Sequence, residues 1–99
     1  MTMQALNLKI SISPDVIFQP VLLGESLLLN VKTLAYFAFD ELGTEFWKAL
    51  QETPDADQAM NRVAIASQKP LEEIRPRLQA VLSGLERSGL LTTEPLLRQ

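Results

Sequence analysis

The hydrophobic period of this chain changes once, at Asp40, and that change divides it into two halves of different architecture. Before Asp40 the apolar residues alternate or form short β-branched and aromatic runs, as strands do. After it they recur at spacings of three and four, as on one face of a helix. The stretch from Glu25 to Leu50 straddles the change and holds the only Trp, the only Tyr and three of the four Phe. A chain so ordered folds as strands followed by helices, an α+β arrangement in two layers.

Leu6, Leu8, Ile10 and Ile12 alternate with polar residues until Ser13-Pro14-Asp15 breaks the pattern, so the N-terminal arm is extended. Val16–Leu23 reads as a strand in which Pro20, lacking an N–H, belongs at an edge or where no ladder bond is needed. Gly24-Glu25 reverses the chain, Ser26–Asn30 returns, Asn30-Val31-Lys32-Thr33 turns again, and Leu34–Phe39 is the third strand. Three short strands joined by tight turns make an antiparallel meander.

Asp40 is placed to cap a helix whose apolar face is Leu42, Phe46, Trp47 and Leu50. Gly43 within it points to a close approach of helix and sheet. Thr53-Pro54-Asp55 ends that helix and caps a second, with Ala56, Ala59, Met60, Val63 and Ala66 or Ser67 inward. Pro70 suits the first position of a third helix, carrying Leu71, Ile74, Leu78, Val81, Leu82 and Leu85. Pro76 either bends this helix or marks where its regular part begins. Gly89 is a C-cap glycine, Leu90-Leu91 returns to the core, and Thr92–Gln99 is expected to fray. Residues 1–99 thus read as a single domain, with an arm (1–13) and a tail (92–99) as its flexible ends.

The composition excludes much chemistry. With 99 residues, no Cys and no His, there is no thiolate nucleophile, no Cys/His zinc site and no imidazole base. The acid pairs Asp40/Glu41, Asp55/Asp57 and Glu72/Glu73 each stand at a helix start, where capping and dipole interactions account for them. Ser83-Gly84 lies inside a helix, not after a strand, so it is no nucleophile elbow. Glycine-rich phosphate loops and calcium loops are absent from the sequence. No apolar run approaches the ~18 residues of a membrane span, and no signal peptide is apparent. The expectation is a cytoplasmic, non-enzymatic protein that needs no cofactor or metal.

Binding remains, in several forms. A winged-helix DNA-binding regulator would display Arg75, Arg77, Gln79 and Arg87 on the third helix, but Glu72, Glu73 and Glu86 share that helix and the net charge is −3. Alternatively, the open edge of Leu34–Phe39 carries no lysine, proline or bulge to protect it, so an extended peptide could add to it as a fourth strand. A third option is an edge covered by the protein's own Leu6–Ile12 or by self-association as a homodimer, with no peptide ligand.

Several segments resemble the PqqD-like family, the peptide chaperones of pyrroloquinoline quinone biosynthesis and the related recognition elements for ribosomally made, post-translationally modified (RiPP) precursor peptides. They are PDVIFQ, LLLNVKTLAYFAFDELGTEFWKAL, a short Ala-rich helix and LQAVLSGLERSGLL, together spanning roughly residues 14 to 92. Leu28-Leu29-Asn30, Tyr36, Phe37, Asp40, Gly43, Phe46-Trp47, Leu85 and Gly89-Leu90-Leu91 carry the pattern. The resemblance implies a winged-helix-like fold, with a three-stranded antiparallel sheet followed by three helices. It further implies a leader peptide held between third strand and third helix and presented to a modifying enzyme: a radical iron–sulfur enzyme, an adenylating enzyme or a leader peptidase. Carried onto this chain, the strand wall is Thr33, Leu34, Ala35, Tyr36 and Phe37, and the helix wall draws on Arg75, Leu78, Gln79 and Leu82. Arg75 would meet an acidic leader side chain. Thr33-Leu34 stands where the family commonly has Thr-Gly, so the turn before the strand is expected to differ.

Overall fold

The structure, a computed structural model, describes residues 6–96. Within them the order is β1 (Leu8–Ile12), β2 (Val16–Pro20), β3 (Ser26–Asn30), β4 (Tyr36–Phe39), α1 (Glu41–Glu52), α2 (Ala56–Ser67), α3 (Leu71–Arg87) and β5 (Leu91–Pro95). Strands β2, β3 and β4 form the antiparallel meander in that spatial order, and the three helices follow it. The register places Val16, Phe18, Leu28, Asn30, Phe37 and Phe39 on one face. The helices cover this face. Phe39 stacks on Trp47 of α1 with ring centroids 6.0 Å apart, and Ser26 and Thr44 share a buried hydroxyl hydrogen bond of 2.7 Å. Phe46, Met60, Ile74, Leu78 and Leu85 complete the interior.

The helix boundaries follow local chemistry. Asp40 accepts the Gly43 N–H at 2.8 Å and starts α1. A Cβ on Gly43 would lie 3.0 Å from Phe39 Cδ1, which is the close approach that the glycine permits. Asp55 accepts the N–H groups of Asp57 and Gln58 and starts α2. Pro70 is the N-cap of α3 and not its first turn residue, one position earlier than the pattern suggests. The helix continues through Pro76, an exposed residue with no N–H to offer the Glu72 carbonyl. Gly89, at φ 73°, closes α3 in a Schellman arrangement: its N–H reaches the Glu86 carbonyl and the Leu90 N–H reaches that of Leu85. In α2, Ala66 is exposed and Ser67 half-buried, so the inner stripe ends at Val63 and Ala64.

The termini differ from expectation. The segment from Thr92, read as fraying, is strand as far as Pro95 and pairs antiparallel with β1, Ile12 opposite Leu91 and Ile10 opposite Thr93. Residues 1–5 and 97–99 of the arm and tail lie outside the described residues. The pairing forms because Ile10 and Leu91 are both buried against the helices, and ladder bonds then satisfy the backbone between them. Consequently β1 is occupied elsewhere and does not cover the edge of β4.

One carboxylate fixes the arm. Asp57 Oδ1 accepts the Leu6 N–H at 3.0 Å and Oδ2 accepts the Asn7 N–H at 2.9 Å, while Arg75 Nη2 lies 3.9 Å from Oδ1. We predict that Asp57→Ala lowers stability in urea unfolding by about 2 kcal/mol, because charge-assisted hydrogen bonds are lost and a buried guanidinium loses a counter-charge. Backbone exchange in β1 should quicken at the same time; unchanged stability would mean the arm is held by its strand pairing alone.

Candidate functional site

Backbone phase decides what β4 offers. Asn30 N–H donates to the Ala35 carbonyl at 2.8 Å, which marks Asn30 and Ala35 as a hydrogen-bonded pair. Antiparallel pairs alternate, so Phe37 (opposite Leu28) and Phe39 (opposite Ser26) also turn their N–H and C=O groups to β3. Tyr36 and Ala38 turn theirs outward, and among the described residues no strand pairs with that edge. The edge of β2 is different. Val31 N–H bonds to Asp15 and Val21 N–H to Glu25, so Val16, Phe18 and Pro20 face outward, and Pro20 has no N–H to offer. One edge of the sheet is blunted and the other is open.

The turn that feeds β4 is built by side chains. Asn30 Oδ1 accepts the N–H groups of Lys32 and Thr33 at 2.9 and 3.1 Å, and Thr33 Oγ1 accepts that of Ala35 at 3.2 Å. Leu34 closes the turn at φ 65°, taking the left-handed conformation that a glycine would adopt without strain.

Across from the open edge stands α3. The Phe37 ring lies against Gly84: a Cβ there would be 2.6 Å from Phe37 Cε2. Arg77 Nη2 reaches Asp40 Oδ2 at 2.7 Å, just past the end of β4. Toward the other end, Asn30 Nδ2 lies 3.5 Å from the Gly89 carbonyl. Arg77, Val81, Gly84 and Ser88, spaced four, three and four, form one stripe facing the strand. From Arg77 to Arg87 this side of α3 is about 15 Å long, the span of roughly four extended residues.

The residues of the two expected walls stand in different surroundings. Tyr36 is 69% exposed with a free backbone edge, and Phe37 faces inward as the cleft floor. Leu34 is exposed, but its N–H is held by the Asn30 carbonyl; the Ala35 carbonyl accepts the Asn30 N–H while its own N–H goes to Thr33 Oγ1, and Thr33 belongs to the turn. The helix wall lies on a different flank. Leu78 and Leu82 are core residues, and Arg75, 8% exposed, faces Asp57 and the arm. Nine residues separate Arg75 from Gly84, two and a half turns, which puts them on opposite sides of α3. Half-buried Gln79 shares the Arg75 flank. Arg75 is therefore not a rim residue of this cleft. Ala38, Arg77, Val81 and Gly84 were not included in those walls; the available signal was a glycine interrupting a helix, which marks a close approach.

Among the described residues there is no group of three or more Asp, Glu, His or Cys arranged to hold a metal ion, and no helix is long and apolar enough to cross a membrane. A cavity of about 630 Å³ lies behind the Asp40–Arg77 pair, lined by Glu41, Leu42, Glu45 and Lys69 among others. No residue of β4 lines it, and its mixed charges suit solvent.

We predict that Leu34→Gly leaves the fold intact and raises the melting free energy by up to about 1 kcal/mol, the relief of left-handed strain less the added unfolded-state entropy. Gly84→Ala has the opposite sign. Overpacking against Phe37 outweighs the gain in helix propensity, so it destabilises by about 1 kcal/mol and shifts the Phe37 ring resonances. Thermal melts and aromatic NMR spectra test both.

Residues 25–91 match the family model described as coenzyme PQQ synthesis protein D, PqqD. No curated protein is significantly similar to the chain. Among solved structures, that of TbiB1 in complex with the TbiA(beta) leader peptide superposes with a TM-score of 0.70 at 23% identity, covering 82% of this chain and 93% of the other. At that identity the likeness establishes a shared fold.

Proposed function

The chain belongs to the PqqD family, and on that footing we propose that it binds the leader segment of a ribosomally made precursor peptide by strand addition to β4. The observation that carries this reading is the open edge at Tyr36 and Ala38, facing α3 across a cleft floored by Phe37. The TbiB1 structure, solved with a leader peptide, supports it by shared fold. We further propose that the loaded domain, in the cytoplasm, presents its peptide to a modifying enzyme, whether a radical iron–sulfur enzyme, an adenylating enzyme or a leader peptidase. In this reading the protein itself is not catalytic.

Magnitudes shape the ligand. Tyr36 and Ala38 offer two donors and two acceptors, and net gains of about 1 kcal/mol per bond give about 4 kcal/mol. Micromolar binding needs about 8 kcal/mol, so the remainder must come from apolar side chains buried over Phe37 and Val81. A peptide residue opposite Phe37 points into the cleft, and its neighbours point to the other face of the sheet. The DNA-binding alternative weakens, because Arg75 is buried and Arg77 is paired with Asp40.

The test uses peptides selected from a random display library on the immobilised protein. Their binding should protect the Tyr36 and Ala38 amides from hydrogen exchange, while Phe37, already bonded to β3, changes little. Ala38→Pro should abolish binding and leave the fold intact, since its N–H serves no internal ladder. Protection confined to α1 and α2 would refute the strand-addition reading.

A further inference from the structure

Leu34 is a turn residue whose side chain does nothing for the turn. The loop between β3 and β4 is folded by Asn30 Oδ1, which accepts the Lys32 and Thr33 N–H groups, and by Thr33 Oγ1, which accepts that of Ala35. Leu34 contributes its backbone N–H, held by the Asn30 carbonyl at 2.8 Å. Its side chain is 70% exposed and does not pack on the core. Its φ of 65° disfavours any residue that carries a Cβ. At Gly24 and Gly89, also left-handed, the chain has glycine instead. A large apolar side chain held at a strained, solvent-facing position points to a use outside the folded chain.

Its position says what that use is. The Asn30 N–H bond to the Ala35 carbonyl carries the β3–β4 register one pair beyond Tyr36, and Leu34 comes next, two residues before Tyr36. A peptide strand added at Tyr36 and Ala38 lies about 4.8 Å from β4 and, continuing past Tyr36, runs within reach of a leucine side chain there. We propose that Leu34 is a specificity-determining residue at this end of the edge. It packs on an aliphatic or aromatic side chain of the bound peptide, two residues beyond the one that pairs with Tyr36. This rests on the strand-addition reading and deepens it. The Leu34 N–H is already taken, so at this point the chain offers the peptide a side chain in place of a ladder donor. Charge suits an apolar occupant: Lys32, the one charged residue between Asn30 and Tyr36, stands 3.8 Å from Asp15. Leu23, the other left-handed leucine, lies in the turn between β2 and β3, neither of which borders the open edge, and has no part in this.

Isothermal titration of library-selected peptides into the full chain tests this, with exchange protection of the Tyr36 and Ala38 amides read in parallel. Leu34→Gly should stabilise the free protein, as predicted above, and yet bind the peptides roughly tenfold more weakly. Leu34→Asn, which keeps a side chain that tolerates the left-handed conformation, should weaken binding to the same extent. Alanine substitution along the peptide then locates the contact: one apolar position should matter to the wild type and have no further effect on Leu34→Gly. Wild-type affinity in both variants, with Tyr36 and Ala38 still protected, would overturn the role of Leu34 and leave strand addition standing. Weaker binding coupled to no peptide position would overturn it too, as the mark of a loosened turn. Absence of that protection in the wild type would overturn both readings together.

Discussion

Asn30 sets the phase of β4, and the rest of the site depends on that phase. Its backbone N–H holds the Ala35 carbonyl, its carbonyl takes the Leu34 N–H, and its side chain folds the turn between them. With the pair so fixed, Phe37 and Phe39 must face the helices and Tyr36 and Ala38 must face away. A slip of one residue would exchange the two sets. Phe39 would leave Trp47, Phe37 would leave Gly84, and the outward backbone groups would belong to different residues. Burial of two aromatic rings thus locks the same register that exposes the rail.

Much of this was legible in the sequence. The period change at Asp40, the carboxylate cap and the Schellman glycine are local signals, each satisfied within a few residues of itself. Pro20 could be assigned to an unused ladder position because the missing N–H is a property of the residue. Less legible was whatever depends on distant partners. Thr92-Thr93-Glu94-Pro95 carries no strand alternation of its own, and becomes a strand because β1 lies beside it. The flank of α3 that borders the strand is illegible for a related reason. Helical periodicity defines the buried stripe through Ile74, Leu78, Leu82 and Leu85 but is symmetric about it. Whether Arg75 or Arg77 borders the strand is set by which side β4 occupies. Gly84 breaks that symmetry, since the missing side chain is needed where another element comes close.

The two left-handed leucines show how stability is distributed. Leu23 and Leu34 each hold a conformation that disfavours a branched side chain by about 1–2 kcal/mol. Both are exposed, and neither fills the core. Against a total stability of some 5–15 kcal/mol for a domain of this size, such strain is considerable. The interior is in a position to sustain it, because Trp47, Phe46, Leu28 and Met60 are fully buried and Asp40 and Asp55 cap the starts of α1 and α2.

The sheet is therefore complete on one side only. Helices cover its inner face and proline blunts one edge, while the other edge and the outer face present unpaired backbone and uncovered side chains. These two openings ask for different chemistry. Backbone groups can pair with any extended chain, so the edge by itself confers little choice, and the cleft side chains beside it are those of Phe37 and Val81. The outer face has no cleft and no charge, so shape and area decide what rests there. A small domain can leave both open because its core is not shared between them: Leu28 and Phe39 point to the helices whichever opening is filled.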